Sequence, residues 1–450
     1  MHSTLHDKSR RDFLQKSALA TAGLLTPLPL AVLGAPKAKR RVAMVGTGHR
    51  GTGMWGKLLL EEHADVIEFV GLCDSNKGRL ETGKKLMGVS CPTYTNFEEM
   101  MRKAKPDTLI VTTVDATHDE FIIKGMEMGA NIVSEKPMTT DETKCQAILD
   151  AEKRTGKKVT VTFNYRYSPH RQKIYDLLRQ GTIGKVTSVD FHWYLDTSHG
   201  ADYFRRWHRL TEKSGSLWVH KASHHFDLLN WWLESEPETV YAKGALENYG
   251  KNGPFRFSNC RPCPHKAECP YYWDMTKDAR LMALYAANEQ YDGYLRDGCV
   301  FKEDVNIYDK MAATIGYANG VQVSYSLTAY SPYEGYRIAF NGTKGRVEAW
   351  IKESGAMTKE AYDEIMVSRN FGKVEYIQVP QAEGHGGGDK LLRAQLFRHP
   401  EAADTYRQAA GSRDGAMAIL VGIAARKSIA SGQPVRIADL TSLKPVAVKA

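Results

Sequence analysis

The sequence predicts an α/β protein in two parts. A doubly wound parallel sheet is expected over residues 37–160. An α+β domain with an open, mostly antiparallel sheet follows over 161–450. Three observations predict this. Short apolar runs alternate with helical periodicity from Arg41 to about Lys158, the βαβ rhythm of a parallel sheet. The first run, Val42-Ala43-Met44-Val45, opens into a glycine-rich turn and then a helix. Later runs alternate apolar and polar residues and meet at hairpin signals.

Residues 1–36 are read as an export signal rather than as fold. Ser9-Arg10-Arg11-Asp12-Phe13-Leu14-Gln15-Lys16 matches the twin-arginine pattern. The apolar run Ala18 to Leu33 is broken by Gly and Pro and is short for a membrane span. Cleavage is expected near Gly34 or Ala35, with an uncleaved anchor as the alternative. The implied partner is the twin-arginine export machinery, and the implied location is periplasmic or otherwise extracytoplasmic.

Gly46, Gly48 and Gly51 then form G-x-G-x-x-G between a strand and a helix. The first glycine permits a tight turn, the second lets backbone approach a pyrophosphate, and the third lets helix and strand pack closely. The helix N-terminus offers free N–H groups to the phosphates. The next strand, Val66 to Asp74, ends in a carboxylate suited to the ribose hydroxyls of NAD and repulsive to the extra phosphate of NADP. This is a Rossmann dinucleotide site by pattern. Asp107 to Thr113 reads as a buried strand, Thr117 to Met128 as a helix, and Asn131 to Ser134 as a strand. Helix Asp141 to Thr155 ends at Gly156, a C-cap. Val159 to Phe163 crosses into the second domain.

There, Val189, Phe191, Trp193 and Leu195 alternate with polar neighbours, which predicts a strand with one buried face. Strands are expected at Ala312–Tyr317 and Val321–Ala329, joined at Asn319-Gly320. Another pair is expected within Gly335–Trp350, turning near Gly342 to Gly345. The formal net charge is +9, yet no basic run is interleaved with aromatics, which argues against nucleic acid as a partner. A mildly basic surface also draws anionic sugars.

Two further stretches carry a resemblance. Glu135-Lys136-Pro137 directly follows a Rossmann strand. Ser214 to Leu229 contains His220-Lys221-Ala222-Ser223-His224-His225-Phe226-Asp227. With Asn164-Tyr165-Arg166-Tyr167-Ser168-Pro169 and Gly181 to Val186, these resemble the Gfo/Idh/MocA oxidoreductase family, from about Arg41 to Asp439. The resemblance implies a Rossmann domain, an α/β domain with an open sheet, and substrate held between them against the nicotinamide. It implies Lys136 beside the reacting hydroxyl and His224 as the general base of an acid-x-x-x-His pattern. A neutral imidazole suits proton removal near pH 7, and Lys136 would stabilise alkoxide character. His220 replaces the family's frequent acid. It lies four residues before His224, so the two rings share a face if the segment is helical. It is read as binding substrate, relaying a proton, or acting on a second carbon. His225 is read as structural. Asp227 either orients His224 or bonds the backbone. By the same resemblance His49, Arg50, Thr113, Asp115, His118, Glu135 and Asn164 are cofactor contacts. Arg166, Tyr203 and Arg206 are substrate candidates.

Of seven cysteines, Cys73, Cys91 and Cys145 fall in the first domain and read as buried thiols. Cys260, Cys263, Cys269 and Cys299 lie in a Pro-rich insertion at about 255–300. Their spacing suits a structural zinc with four thiolates, with His265 as a possible substitute ligand; disulfides and an iron–sulfur cluster are the rivals. The functional expectation is an exported NAD-dependent oxidoreductase acting on a sugar or cyclitol hydroxyl, with cofactor tightly held because no free NAD pool is expected outside the cytoplasm. One alternative is an NAD-dependent, redox-neutral glycoside hydrolase. Another is a non-catalytic sugar-binding protein with a vestigial NAD site. A homo-oligomer is the expected assembly.

Overall fold

The computed structural model describes residues 38–355, 357, 361–381 and 386–449. The expected export segment lies outside the described residues. Strands β1 (Arg40–Val45), β2 (Ile67–Cys73), β3 (Thr93–Tyr94), β4 (Thr108–Val111), β5 (Asn131–Ser134) and β6 (Val159–Val161) form one parallel sheet in the order β3-β2-β1-β4-β5-β6. Chain order reverses between β1 and β4, so a crevice opens at their C-terminal ends, beside Gly46 and Thr112. All four residues of β4 are buried, which explains its unbroken apolar reading. The first residues of Val159–Phe163 complete this sheet before the chain leaves it.

The helices between strands follow local chemistry. In Phe97–Ala104 the buried residues Phe97, Met100, Met101 and Ala104 share one face, and Asn96 caps the start by accepting the Glu99 N–H at 2.8 Å. Asp141 caps Glu142–Thr155 in the same way, and Gly156 ends it at φ +67°. The helix after the glycine turn is π-wound over Gly51–Leu58 before becoming α-helical over Leu59–His63.

The second sheet contains β7 (Val186–Asp196), β8 (Pro237–Ala245), β9 (Lys310–Tyr317), β10 (Gln322–Ser331), β11 (Tyr333–Gly342), β12 (Gly345–Gly355), β13 (Tyr362–Arg369), β14 (Val374–Pro380) and β15 (Val435–Arg436). Their order is β14-β13-β12-β11-β7-β10-β9-β8-β15. Every pairing is antiparallel except β7 with β10. The alternating face of β7 is fully buried at Phe191, Trp193 and Leu195. Helices Ala222–Trp232 and Ser412–Ser431 pack together, and the second also packs on β8 and on β6. Gly415 permits that last approach: a Cβ there would sit 2.7 Å from Val161 Cγ2. One continuous apolar core therefore runs from the first sheet into the second, which holds the crevice and the second domain in register. Among the described residues, no helix is long and apolar enough to cross a membrane.

Candidate active site

The glycine turn is built as its pattern requires. Gly46 has φ +92°, and a Cβ on it would press to 2.6 Å from Thr112 O. A Cβ on Gly51 would collide with Gly46 O. Neither position tolerates a side chain without opening the turn. Asp74 is buried at the end of β2. Its carboxylate accepts the Thr47 N–H at 2.8 Å and the Asn76 N–H at 2.9 Å, and Arg79 lies at 3.3 Å. Asn164 donates through Nδ2 to Asp389 at 2.5 Å, while its buried Oδ1 has no partner. That amide oxygen and the side-chain-free turn fit a nicotinamide dinucleotide, and so do the residues at each end of the crevice.

Five expected cofactor contacts are engaged within the protein. Arg50 does not stand free for phosphate: Nε pairs with Glu135 at 2.7 Å, and the guanidinium grips Asp389 with both terminal nitrogens. Glu135 in turn accepts from Trp55 Nε1 at 2.7 Å, so it anchors the turn from below. His118 is buried and bridges two backbone carbonyls, Pro137 O at 2.8 Å and Thr113 O at 3.2 Å. It positions the loop bearing Lys136. Asp115 is engaged by the second domain: its Oδ2 lies 2.5 Å from His220 Nδ1. Thr113 is held by the Thr117 hydroxyl at 2.9 Å.

The Asp115–His220 contact makes a catalytic-looking triad with Lys136. Lys136 Nζ donates to His220 O at 3.0 Å and lies 3.5 Å from His220 Nε2. Burial draws the Lys136 amine down to about 8, opposed by the charges of Asp115 and Glu135. Burial, and then the neighbouring Lys136 and Arg206 charges, hold His220 well below the ordinary histidine value. Burial pushes the Asp115 carboxyl up. His220 is thus a neutral imidazole with Nδ1 toward Asp115 and Nε2 toward the Lys136 amine, a donor that suits the tautomer with its proton on Nδ1. Its ring is boxed by His208 at 4.1 Å and Tyr203 at 5.4 Å between centroids.

His224 is not on the same face. The helix breaks at Lys221, between Leu217–His220 and Ala222–Trp232. The His224 ring stacks on Tyr165 at 4.0 Å, while His220 turns to Asp115. The expectations for Asp227 and Arg166 are corrected together. Asp227 neither orients His224 nor bonds backbone: it takes both ends of the Arg166 guanidinium, at 2.5 and 2.8 Å. Arg166, also bound to Asp414 at 3.0 Å, is buried in this ion network and faces no substrate. Tyr203 gives its hydroxyl to a relay, with His199 Nε2 at 2.9 Å and Glu334 2.8 Å from His199 Nδ1. Arg206 pairs with Asp202 at 3.1 Å. His225 is structural, as expected, bonded to Tyr325 at 2.7 Å and stacked on Trp193.

A cleft of about 910 Å³ is lined by Tyr165, His199, Asp202, Tyr271, Trp273 and Glu334 among others; its link to the cluster runs through His199, bonded to Tyr203, whose ring lies 5.4 Å from that of His220. The sequence pattern missed His199, Glu334 and Asp389. No motif surrounds them, and they reach the site only through long-range packing. Tyr165 and Lys221 lay within recognised stretches without an assigned role; Lys221 Nζ donates to Tyr165 Oη at 3.0 Å.

Cys260, Cys263, Cys269 and Cys299 line one small cavity and all carry free thiols. Among the described residues, no three His, Cys, Asp or Glu are set to hold a metal ion. Arg205 Nη1 donates to Cys260 Sγ at 3.1 Å. His265 does not substitute as a ligand: it pairs with Glu268 at 2.6 Å and stacks on Phe255.

A dinucleotide turn at the switch point, with a buried lysine–histidine pair at its mouth, defines a nicotinamide-dependent oxidoreductase. The chain belongs to the Gfo/Idh/MocA family: the model of the oxidoreductase family's NAD-binding Rossmann fold matches residues 40–163, and that of its C-terminal alpha/beta domain matches 176–437. It is 38% identical to "Putative oxidoreductase YteT" of Bacillus subtilis (strain 168), over 90% of this chain and all of that protein. It is 22% identical to inositol 2-dehydrogenase/D-chiro-inositol 3-dehydrogenase of Lactiplantibacillus plantarum, over 44% of this chain and 53% of that one. An Agrobacterium radiobacter oxidoreductase solved with NAD+, L-tartaric acid and magnesium shares the fold, with TM-score 0.63 and 14% identity, over 90% of this chain and all of that one.

Proposed function

We propose that the protein oxidises a hydroxyl of a neutral sugar or cyclitol, using NAD that it holds tightly. The observation that carries this is the Asp115–His220–Lys136 arrangement, which Tyr203 and His199 connect to the cleft. Bound NAD supplies the hydride acceptor. His220 Nε2 takes the hydroxyl proton, because Asp115 holds its other nitrogen as donor. The Lys136 ammonium stabilises the developing alkoxide. This prefers His220 over the motif residue His224 as the base; His224 acts through the cleft-lining ring of Tyr165. Carboxylates at Asp202 and Glu334 and the rings of Tyr271 and Trp273 suit a hydroxylated, uncharged ligand.

The relatives named for inositol oxidation support a polyol substrate. Twin-arginine export, the cleaved leader and a homo-oligomer belong to the same proposal. So does a zinc ion on the four gathered cysteines, which share one cavity despite lacking ligand geometry.

The test is to purify the protein, identify bound nucleotide by mass spectrometry, and add myo-inositol, neutral sugars and aryl glycosides without cofactor. Appearance of reduced nicotinamide absorbance is expected. Aryl release without net reduction would instead identify redox-neutral glycoside hydrolysis. Nucleotide retained with no turnover across the panel would leave a sugar-binding protein with a vestigial NAD site.

A further inference from the structure

The cysteine-bearing insertion does more than stand beside the cleft. Its later part, from Met275 to Arg296, lies on the first sheet at the mouth of the crevice. Three kinds of contact hold it there. At the glycine turn, the His49 N–H donates to Tyr285 Oη at 2.8 Å, and Arg280 Nη2 reaches His49 O at 3.3 Å and Thr52 Oγ1 at 3.2 Å. At the end of β2, Arg79 joins Asp74 to Asp292, at 3.3 and 2.7 Å, and Asn76 Nδ2 donates to Asn288 O at 3.0 Å. Between these ends, Met275, Leu281, Leu284 and Tyr285 form a small apolar core against Leu86.

The first sheet is shaped to receive this segment. A Cβ on Gly53 would lie 2.9 Å from Arg280 Nη2, and one on Gly48 3.2 Å from Tyr285 Oη. A Cβ on Gly78 would collide with the Asn288 side chain. Gly48 therefore admits the tyrosine hydroxyl as well as a pyrophosphate.

We propose that Arg280 and Tyr285 hold the dinucleotide, and that Met275–Arg296 is a clasp closing over its pyrophosphate and ribose ends. The proposal rests on the NAD reading above and names the residues that make the cofactor slow to leave. Arg280 spends Nη2 on two neutral oxygens, so those partners leave its positive charge uncompensated. Arg206 and Arg296 stand nearby and share one carboxylate, Asp202, at 3.1 and 2.6 Å; burial first, and then the charges of Arg280, Arg206 and Arg296, hold His49 down to about 4, so His49 brings no further positive charge. Guanidiniums beside a phosphate turn suit a pyrophosphate's negative charge. Tyr285 accepts the His49 amide proton, which leaves its own hydroxyl proton for a phosphate oxygen. A nucleotide running from the glycine turn after β1 to the end of β2 is then covered at two points, and its exit requires both contacts to open.

The experiment uses the full-length protein loaded with NAD+. Dissociation is followed by tryptophan fluorescence after dilution into a nucleotide-consuming trap, for wild type, Arg280→Ala, Tyr285→Ala and Tyr285→Phe. Thermal melting checks each fold, and Arg280→Ala serves if a Tyr285 variant fails to fold. Arg280→Ala and Tyr285→Ala should each speed release by about tenfold or more, and Tyr285→Phe by less, since the ring still packs. Release within about twofold of wild type in folded Arg280→Ala and Tyr285 variants overturns the clasp and leaves the oxidoreductase reading standing. A wild-type protein that binds no NAD+ overturns both.

Discussion

Lys136 is the group whose titration the site should report. Burial holds its amine near 8, against the raising pull of Asp115 and Glu135. The proposed role needs the ammonium. Because the folded-state value is lowered, that charge is present below this pH and is lost as pH rises through it. Between about pH 7 and about pH 9 the protonated fraction falls from about nine-tenths to about one-tenth, a roughly tenfold loss of rate worth about 1.4 kcal/mol. His220 adds no limb in this window, since burial and the neighbouring cations keep it well below the ordinary histidine value. Arginine stays charged throughout, so Lys136→Arg should be slower but flat across the range. Lys136→Met should lose the limb and drop turnover by about two to three orders of magnitude. The assay is single-turnover reduction of bound nicotinamide by the sugar found in the screen, at a series of pH values. An alkaline limb near pH 8 that persists in a measurably active Lys136→Arg protein would refute the reasoning, because another group would then be titrating.

Other expectations follow from the same contacts. Asp115→Asn should place a donor against His220 Nδ1 and force the proton onto Nε2, lowering turnover by about two to four orders of magnitude with nucleotide affinity little changed. His220→Ala should lose about as much, and His224→Ala less; the reverse ranking in single-turnover assays returns the base to His224. Asp227→Ala leaves the buried Arg166 charge with Asp414 alone and should cost about 3–5 kcal/mol in denaturant unfolding. A loss under about 1 kcal/mol would mean that the network is not what holds that segment. Elemental analysis should find one zinc per chain, removed on replacing Cys260 and Cys263 with Ser; four thiols blocked without metal would instead show disulfides.

The two-sheet architecture was legible in the chain because it rests on local pattern. The all-buried β4 reads as a continuous apolar run, β7 alternates with a period of two, and Gly156 closes a helix that Asp141 opens. The glycine turn and Lys136 were legible for a similar reason: their spacing is the geometry, within a few residues of one strand end. What the chain could not show is which distant side chains satisfy one another. Asp115 meets His220 across 105 positions, Arg166 meets Asp227 across 61, and His49 meets Tyr285 across 236. A buried charge or donor must find a partner somewhere, since leaving it unpaired in the interior is costly. Sequence spacing states that need but not its answer. Even the His220–His224 pair, only four apart, diverged because the helix breaks at Lys221 to let one ring reach Asp115 and the other Tyr165. The chain itself determined the fold class and the dinucleotide turn. Only tertiary packing decided which histidine meets the lysine, and which insertion lies over the cofactor site.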